Sequence, residues 1–499
     1  MIDRVRLLAD LKQVVLELED DLRLRLEEDQ PSRDKLHGEY DAARRAGRTA
    51  AAWETFRDEQ VTQVAVAWVL ATVFVRFVED NGLTDEPWLG GQRMQLVKDR
   101  YTHWLRQHPH KSDREYLLHV FGELGKLPGL KALLAEDGHS LVWSLGPTAD
   151  GARVLREFWL GAGGDVVHDF ADPEWGTRFL GDLYQDLSKH ARKRYALVQT
   201  PKFIEDFLLE KTLEPALAEF GLKETRIIDP ACGSGHFLLG AFARLFARWQ
   251  KAEPAEKAHV LAQRALDAVA GVDLNPFAVA IARFRLFVEA LKVSGVRRLR
   301  DAFDFRVMVA AGDSLLHGRH QGARQRMLGM DLGEEFDYEH FFGSEDKDLL
   351  HAIFGRSYHA VVGNPPYIRA RDKALNELYR KRWPEVCYWK YQLGVPFTQL
   401  CFELARPKMG ERRAPGFVGM ITGNQFMKAE FGKRVIEEYL AGCVEVTGVI
   451  DMSGVQLPGY GTVTVILLGR SRSPVGSTVR AVLGIRGEPS PPTDPGAGQ

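Results

Sequence analysis

The sequence predicts an α/β fold in which an α-helical N-terminal domain precedes a parallel sheet covered by helices on both faces. Three observations predict it. Apolar residues recur at helical spacing through the first part of the chain, short β-branched runs alternate with amphipathic segments beyond Tyr195, and a Gly-rich turn follows the first of those runs.

In the N-terminal part, Leu7, Leu8, Leu11, Val14, Val15 and Leu18 fall on one helical face, and residues 61–78 continue in the same style. The uncharged apolar stretch 61–75 stops at Arg76, short of the ~20 residues that cross a bilayer. It reads as a buried helix. No cluster of acids with a lysine marks a nuclease, so residues 1–187 read as an α-helical scaffold for a catalytic domain. Two basic segments follow, Lys189 to Arg194 and a glycine-containing stretch from His317 to Arg326. Either could touch phosphate, although so short a run also suits a solvated helix end.

The predicted strands are 226–229, 268–273, 307–310, 359–363, 416–422, 446–451 and 462–469. The expected division is an N-terminal domain at 1–187, an α/β domain at 188–475 and a flexible Pro/Gly-rich tail at 476–499.

Composition narrows the function. With 66 basic against 68 acidic residues the formal charge is -2, which excludes a protein that coats nucleic acid with its whole surface. Any DNA contact must be local. The four cysteines (Cys232, Cys387, Cys401, Cys443) are too scattered for a disulfide framework or a zinc knuckle, and the chain opens without a signal-peptide pattern. A bacterial cytoplasmic protein with no membrane segment and no metal is expected.

Residues 227–237, Ile-Ile-Asp-Pro-Ala-Cys-Gly-Ser-Gly-His-Phe, form a strand, a Gly-rich turn and a helix start. Glycines at 233 and 235 let the backbone approach a ligand, with helix amides facing it. The dinucleotide fingerprint wants a third glycine three residues after the second, and here the next is Gly240, so a nicotinamide or flavin cofactor fits poorly. The next strand ends at Asp273, placed to accept ribose hydroxyl hydrogens, and the third at Asp313, placed to accept from an adenine amino group. An isolated Asp after a strand is ordinarily a helix cap. Three acids at successive strand ends instead suit a nucleoside cofactor at a switch point of the sheet.

The fourth strand runs into Asn364-Pro365-Pro366-Tyr367. An exocyclic amine on a purine is a poor nucleophile because its lone pair is delocalised. Two acceptors on its hydrogens, the Asn364 side-chain oxygen and the Pro365 carbonyl, would localise that pair toward a methyl donor, and Tyr367 would stack on the base. Pro366 helps fix the backbone. A base within a duplex cannot reach such a pocket, so the target adenine must be flipped out at a cost of a few kcal/mol.

With these motifs in this order, residues 195–470 resemble the amino-methyltransferase family of adenine-specific DNA methyltransferases. The resemblance implies a Rossmann-like, S-adenosylmethionine-dependent methyltransferase domain acting on double-stranded DNA. It assigns Thr200 and Pro201 to the opening motif that holds the cofactor's methionine end. Asp229, Ala231, Gly233 and Gly235 then belong to the cofactor loop, Asp273 to the ribose, Asp313 to the cofactor adenine, and Asn364 to Tyr367 to catalysis. Segments 416–422 and 426–440 look like a later strand and helix of the same domain.

Residues 40–49 and 53–61 resemble the methyltransferase subunit of type 2 BREX (phage growth limitation) systems. That implies methylation of host DNA within an antiphage or restriction-modification system, alongside partner proteins. Such subunits run on into a target-recognition region, which is expected to be missing here because a Pro-Gly tail soon follows the last strand. Where related enzymes often place an aromatic residue before the final strand this chain has Leu457, leaving Tyr460 as the base-stacking candidate. Two other readings stay open: a protein glutamine methyltransferase, whose side-chain amide poses the same chemical problem, and a non-catalytic defence subunit that binds DNA or a partner.

Overall fold

The computed structural model describes residues 2–45, 51–136, 140–161, 168–187, 200–318, 346–370, 373–408, 414–454 and 463–484. They divide into two compact units, one within Met1–Arg194 and Arg283–Phe305, the other within Tyr195–Ala282 and Arg306–Gln499. The Lys189 to Arg194 run, residues 319–326 of the second basic segment, Leu457, Tyr460 and the tail from 485 lie outside the described residues.

The first unit is helical. Helix Arg4–Glu28 is capped by Asp3, whose carboxylate accepts from the Val5 and Arg6 amides, and it buries Leu7, Leu11, Val14, Val15, Leu18, Leu22 and Leu26. That stripe packs on helix Trp53–Asp80, which has 28 residues. The sequence reading made this apolar element too short to span a bilayer. The helix extends past the uncharged run at both ends and is long and apolar enough by length and composition, while 94% of its most apolar window is buried in the protein. Its middle is apolar all round because neighbours surround it, including Arg4–Glu28 and Asp113–Gly125. Chain from the distant segment Arg283–Phe305 joins this unit: Phe284 meets Phe74 edge-on with ring centroids 5.2 Å apart. The Leu299 amide donates to the Leu83 carbonyl at 2.9 Å.

The second unit is built on one eight-stranded sheet. Its strands are β1 (Ile227–Asp229), β2 (Val269–Asp273), β3 (Met308–Ala311), β4 (Ala360–Gly363), β5 (Phe417–Gly423), β6 (Glu445–Asp451), β7 (Thr464–Arg470) and β8 (Arg480–Leu483). The order is β3-β2-β1-β4-β5-β7-β6-β8. Strands β1 to β5 pair in parallel, and β8 pairs in parallel with β6. β7 runs antiparallel to both β5 and β6, which corrects the expectation of a parallel sheet. It is the next strand after β6 in sequence and inserts between β5 and β6.

Both faces are covered. On β5, Gly419 abuts Leu208 and Thr212 of helix Lys202–Phe220, where a Cβ would come within 2.7 Å of Thr212. The alternate residues Val418 and Met420 belong to the buried core that includes Leu400 and Phe402 of helix Gly394–Leu404. Segment 426–440, expected as a helix, holds a 3-10 turn at Asn424–Met427 and a π-helix at Arg434–Leu440. The widened turn keeps Val435, Tyr439 and Leu440 buried.

Candidate functional site

Because β1, β2, β3 and β4 are parallel neighbours, their C-terminal ends lie along one edge of the sheet, and the strand order turns at β1 and β4. Ligands of open α/β sheets bind in the crevice at such a reversal. Asp229 ends β1, Asp273 ends β2, Asp313 follows β3 and Asn364 follows β4. The residues singled out in the sequence therefore converge on that edge.

The Gly-rich turn is shaped by Asp273. Its carboxylate accepts from the Gly233 amide at 2.8 Å and the Asn275 amide at 2.9 Å, tying the loop after β1 to the loop after β2. Gly233 has φ +51°, and a Cβ built there meets nothing within 4 Å, so the backbone at 233 is bare on that side. Gly235, at φ +85°, begins helix His236–Ala252 and sits so close to Ala282 that a Cβ would lie 3.1 Å from its Cβ. Both glycines are required by backbone conformation, the second also by packing.

Asp229 is 1% exposed, and its carboxylate accepts from the half-buried Ala231 amide at 2.9 Å. Burial, reinforced by the nearby Asp273, pushes its carboxyl up to about 8. Asp273 is raised as well, by burial, against the pull of its two amide donors.

Asp313 is engaged within the fold. One oxygen caps the short helix Ser314–His317, accepting from Leu315 at 2.9 Å and Leu316 at 3.2 Å. The other accepts from the Tyr379 hydroxyl at 2.5 Å. The ordinary role of an Asp after a strand is present here, beside whatever else the carboxylate does. Tyr379 escaped the sequence reading, since its contact spans 66 positions and nothing local marks it. The next residue, Ser314, donates to the Pro230 carbonyl at 2.6 Å and joins the β3 and β1 loops.

Buried Thr200 and Pro201 open helix Lys202–Phe220. The Asn364 amide nitrogen donates to the Thr200 hydroxyl at 3.1 Å, and its oxygen accepts from the Tyr367 hydroxyl at 2.5 Å. The amide is thus held from both ends, oxygen toward Tyr367. Pro365 is buried, Pro366 and Tyr367 half-buried. Gln392, also missed in the sequence, donates to the Tyr367 carbonyl at 3.2 Å. Tyr460 lies outside the described residues. Among the described residues no cluster of His, Cys, Asp and Glu is arranged to hold a metal ion.

Comparison with known proteins gives this geometry relatives. The model of the Eco57I restriction-modification methylase family matches residues 267–457. The adenine-specific methyltransferase PglX of Streptomyces coelicolor is 48% identical over an alignment of 515 positions that takes in 99% of this chain. The chain spans 42% of the length of that relative. Among solved structures, the DrdV–DNA complex matches 96% of this chain and 42% of its own with a TM-score of 0.56 at 14% identity. The Type IIL restriction-modification enzyme MmeI in complex with DNA matches 92% and 59%, with a TM-score of 0.51 at 13% identity. Those two likenesses are of fold. The identity to PglX runs through both units, the methylase family model lies across β2 to β6, and the chain is thus similar to an adenine-specific methyltransferase over nearly its whole length.

Proposed function

We propose that this chain is the catalytic part of an S-adenosylmethionine-dependent methyltransferase that methylates the N6 amino group of adenine in double-stranded DNA, in the setting of host-DNA modification and phage defence. The observation that carries the reading is Asn364. Its amide is clamped by Thr200 and Tyr367 at the end of β4, beside the Gly-rich turn after β1.

The cofactor reading is supported by the bare backbone at Gly233 and by a carboxylate, Asp273, next to it. Thr200, Pro201, Asp229, Ala231, Gly235 and Asp313 would complete that side of the site. When bound, the cofactor supplies a methyl group already activated by a sulfonium, so no metal is needed for the transfer. The protein's part is to orient and to accept hydrogen bonds. Asn364 Oδ1 and the Pro365 carbonyl would take the two amino hydrogens of a flipped adenine and direct the nitrogen lone pair out of the ring's conjugation. The incoming base competes with the Tyr367 hydroxyl for Oδ1, and once displaced the Tyr367 ring is available to stack on it.

Asn364→Ala and Asp273→Ala separate the roles. In the first, methyl transfer to DNA falls by about two orders of magnitude or more while cofactor affinity, read by calorimetry, stays within about twofold. In the second, cofactor affinity itself drops. Equal loss of cofactor binding in both variants would refute the assignment. PglX and the DNA complexes of DrdV and MmeI favour DNA over the side-chain amide of a protein as the acceptor. A non-catalytic defence subunit would bind cofactor and transfer nothing.

A further inference from the structure

Four residues before Leu393, the chain places an aromatic side chain in an unusual position. Among the described residues, Trp175 and Trp389 are the two non-glycine residues with positive φ, and Trp389 is at +52°. That region disfavours a bulky side chain, and such strain persists where the surroundings enforce it, often at sites of function. Trp175 is half-buried in a turn closed on Asp172. Trp389, by contrast, is 58% exposed and its neighbour Tyr388 is 40% exposed. They and Phe303 are the exposed aromatic residues among those described.

The surroundings of Trp389 are basic and fixed. Arg380 donates to its carbonyl at 3.0 Å, and the Lys390 ammonium lies 5.3 Å from its ring centroid. The Arg434 guanidinium sits 5.0 Å over the Tyr388 ring and donates to the Pro384 carbonyl at 3.2 Å. Acids temper this charge in part: Glu377 pairs with Arg380 at 2.7 Å and Glu438 lies 3.9 Å from Arg434. Lys390 and the exposed Lys381 add to the positive side. The loop is also anchored to the catalytic motif. The Leu393 amide donates to the Ile368 carbonyl at 2.8 Å, and Gln392 to the Tyr367 carbonyl. No more than about 14 Å of extended chain therefore separates Trp389 from that anchor.

An exposed indole with a cation over one face, next to a second aromatic ring carrying a cation, is the chemistry of a surface that stacks bases and tracks phosphates. We propose that Trp389, rimmed by Tyr388, Lys390 and Arg434, is a DNA-contact platform whose indole stacks on a base exposed when the duplex opens beside the catalytic motif. The inference rests on the DNA reading given above and adds the residue that receives an unpaired base. Stacking on the open duplex repays the backbone strain at position 389.

Trp389→Gly tests it, because glycine accepts φ +52° and the substitution removes the indole with its Cβ. The probe is a fluorescently labelled duplex with a short unpaired adenine bubble, compared with the fully paired duplex, with binding followed by anisotropy at low salt. The unchanged protein prefers the bubble. The variant loses that preference, binding the bubble about tenfold more weakly, while its melting temperature is equal or higher and its cofactor affinity is unchanged. Trp389→Phe, which keeps a ring, retains most of the preference. Lys390→Ala with Arg434→Ala weakens both duplexes and flattens the salt dependence. Equal bubble binding by Trp389→Gly and the unchanged protein would overturn this inference alone. Failure of the unchanged protein to bind either duplex would overturn it together with the DNA reading.

Discussion

At the scale of single residues, the site is held by side chains whose ordinary chemistry is bent by burial. Asp229 has an ordinary value of 3.8 and is pushed up to about 8 in the fold, so between those limits the folded protein holds a proton that the unfolded chain has released. Its contribution to stability is fully present below about pH 4 and is lost as pH rises through about 8. Asp229→Asn keeps an oxygen for the Ala231 amide and removes the titration. Without cofactor, the variant should melt higher than the parent by at least about 3 °C near pH 9, and the difference should vanish near pH 4. A gap that is constant across that range would mean that Asp229 does not titrate in this way. Asp273, also raised by burial, leaves a pH dependence of the same sign in both proteins. The sequence made the positions of these acids legible because each ends a strand. It gave no sign that the Asp313 carboxylate is engaged by Tyr379, or that the Tyr367 hydroxyl rests on Asn364, since both contacts depend on side-chain packing.

At the scale of elements, the strands of the catalytic unit were readable to within about two residues, because each is a short apolar run bounded by turn residues. The direction of β7 was not, since alternation is the same for a strand run either way. β8 was missed altogether: Arg480–Leu483 is short and exposed along its whole length, so it carries no burial pattern to read. In the helical unit, the apolar run of Trp53–Asp80 announced a buried helix, but the Arg76 that ends the run did not announce a buried ion cluster. Arg76 is 1% exposed, lies 3.1 Å from Glu79 and 2.7 Å from Asp80, and Glu79 is still pushed up to about 7 by burial. Glu79 also accepts from the Leu89 amide at 2.9 Å and so pins the next loop. Arg76→Met removes the cation and strands two buried acids, which should cost about 3–5 kcal/mol in urea denaturation. Arg76→Met with Glu79→Gln and Asp80→Asn should recover much of that loss. A single variant as stable as the parent would show that the cluster is not what holds this turn.

At the scale of the whole molecule, the chain joins a helical unit and a methyltransferase-like sheet, and its likeness to PglX runs through both. The helical character of the first part was legible from periodicity. The grouping of Arg283–Phe305 with it was not, because the Leu299 to Leu83 hydrogen bond and the Phe284 to Phe74 contact join segments far apart in sequence. The family resemblance entered the sequence reading through motifs, whereas the acceptor remains a matter of chemistry at Asn364. The measurement that tests the central claim most directly is transfer of tritiated methyl from S-adenosylmethionine to unmethylated genomic DNA, followed by nucleoside analysis, with the protein alone and with lysate of its host. The account predicts label in N6-methyladenine, abolished by Asn364→Ala; label seen only with lysate would add a required partner. Cofactor binding with no label in DNA under either condition would contradict the account.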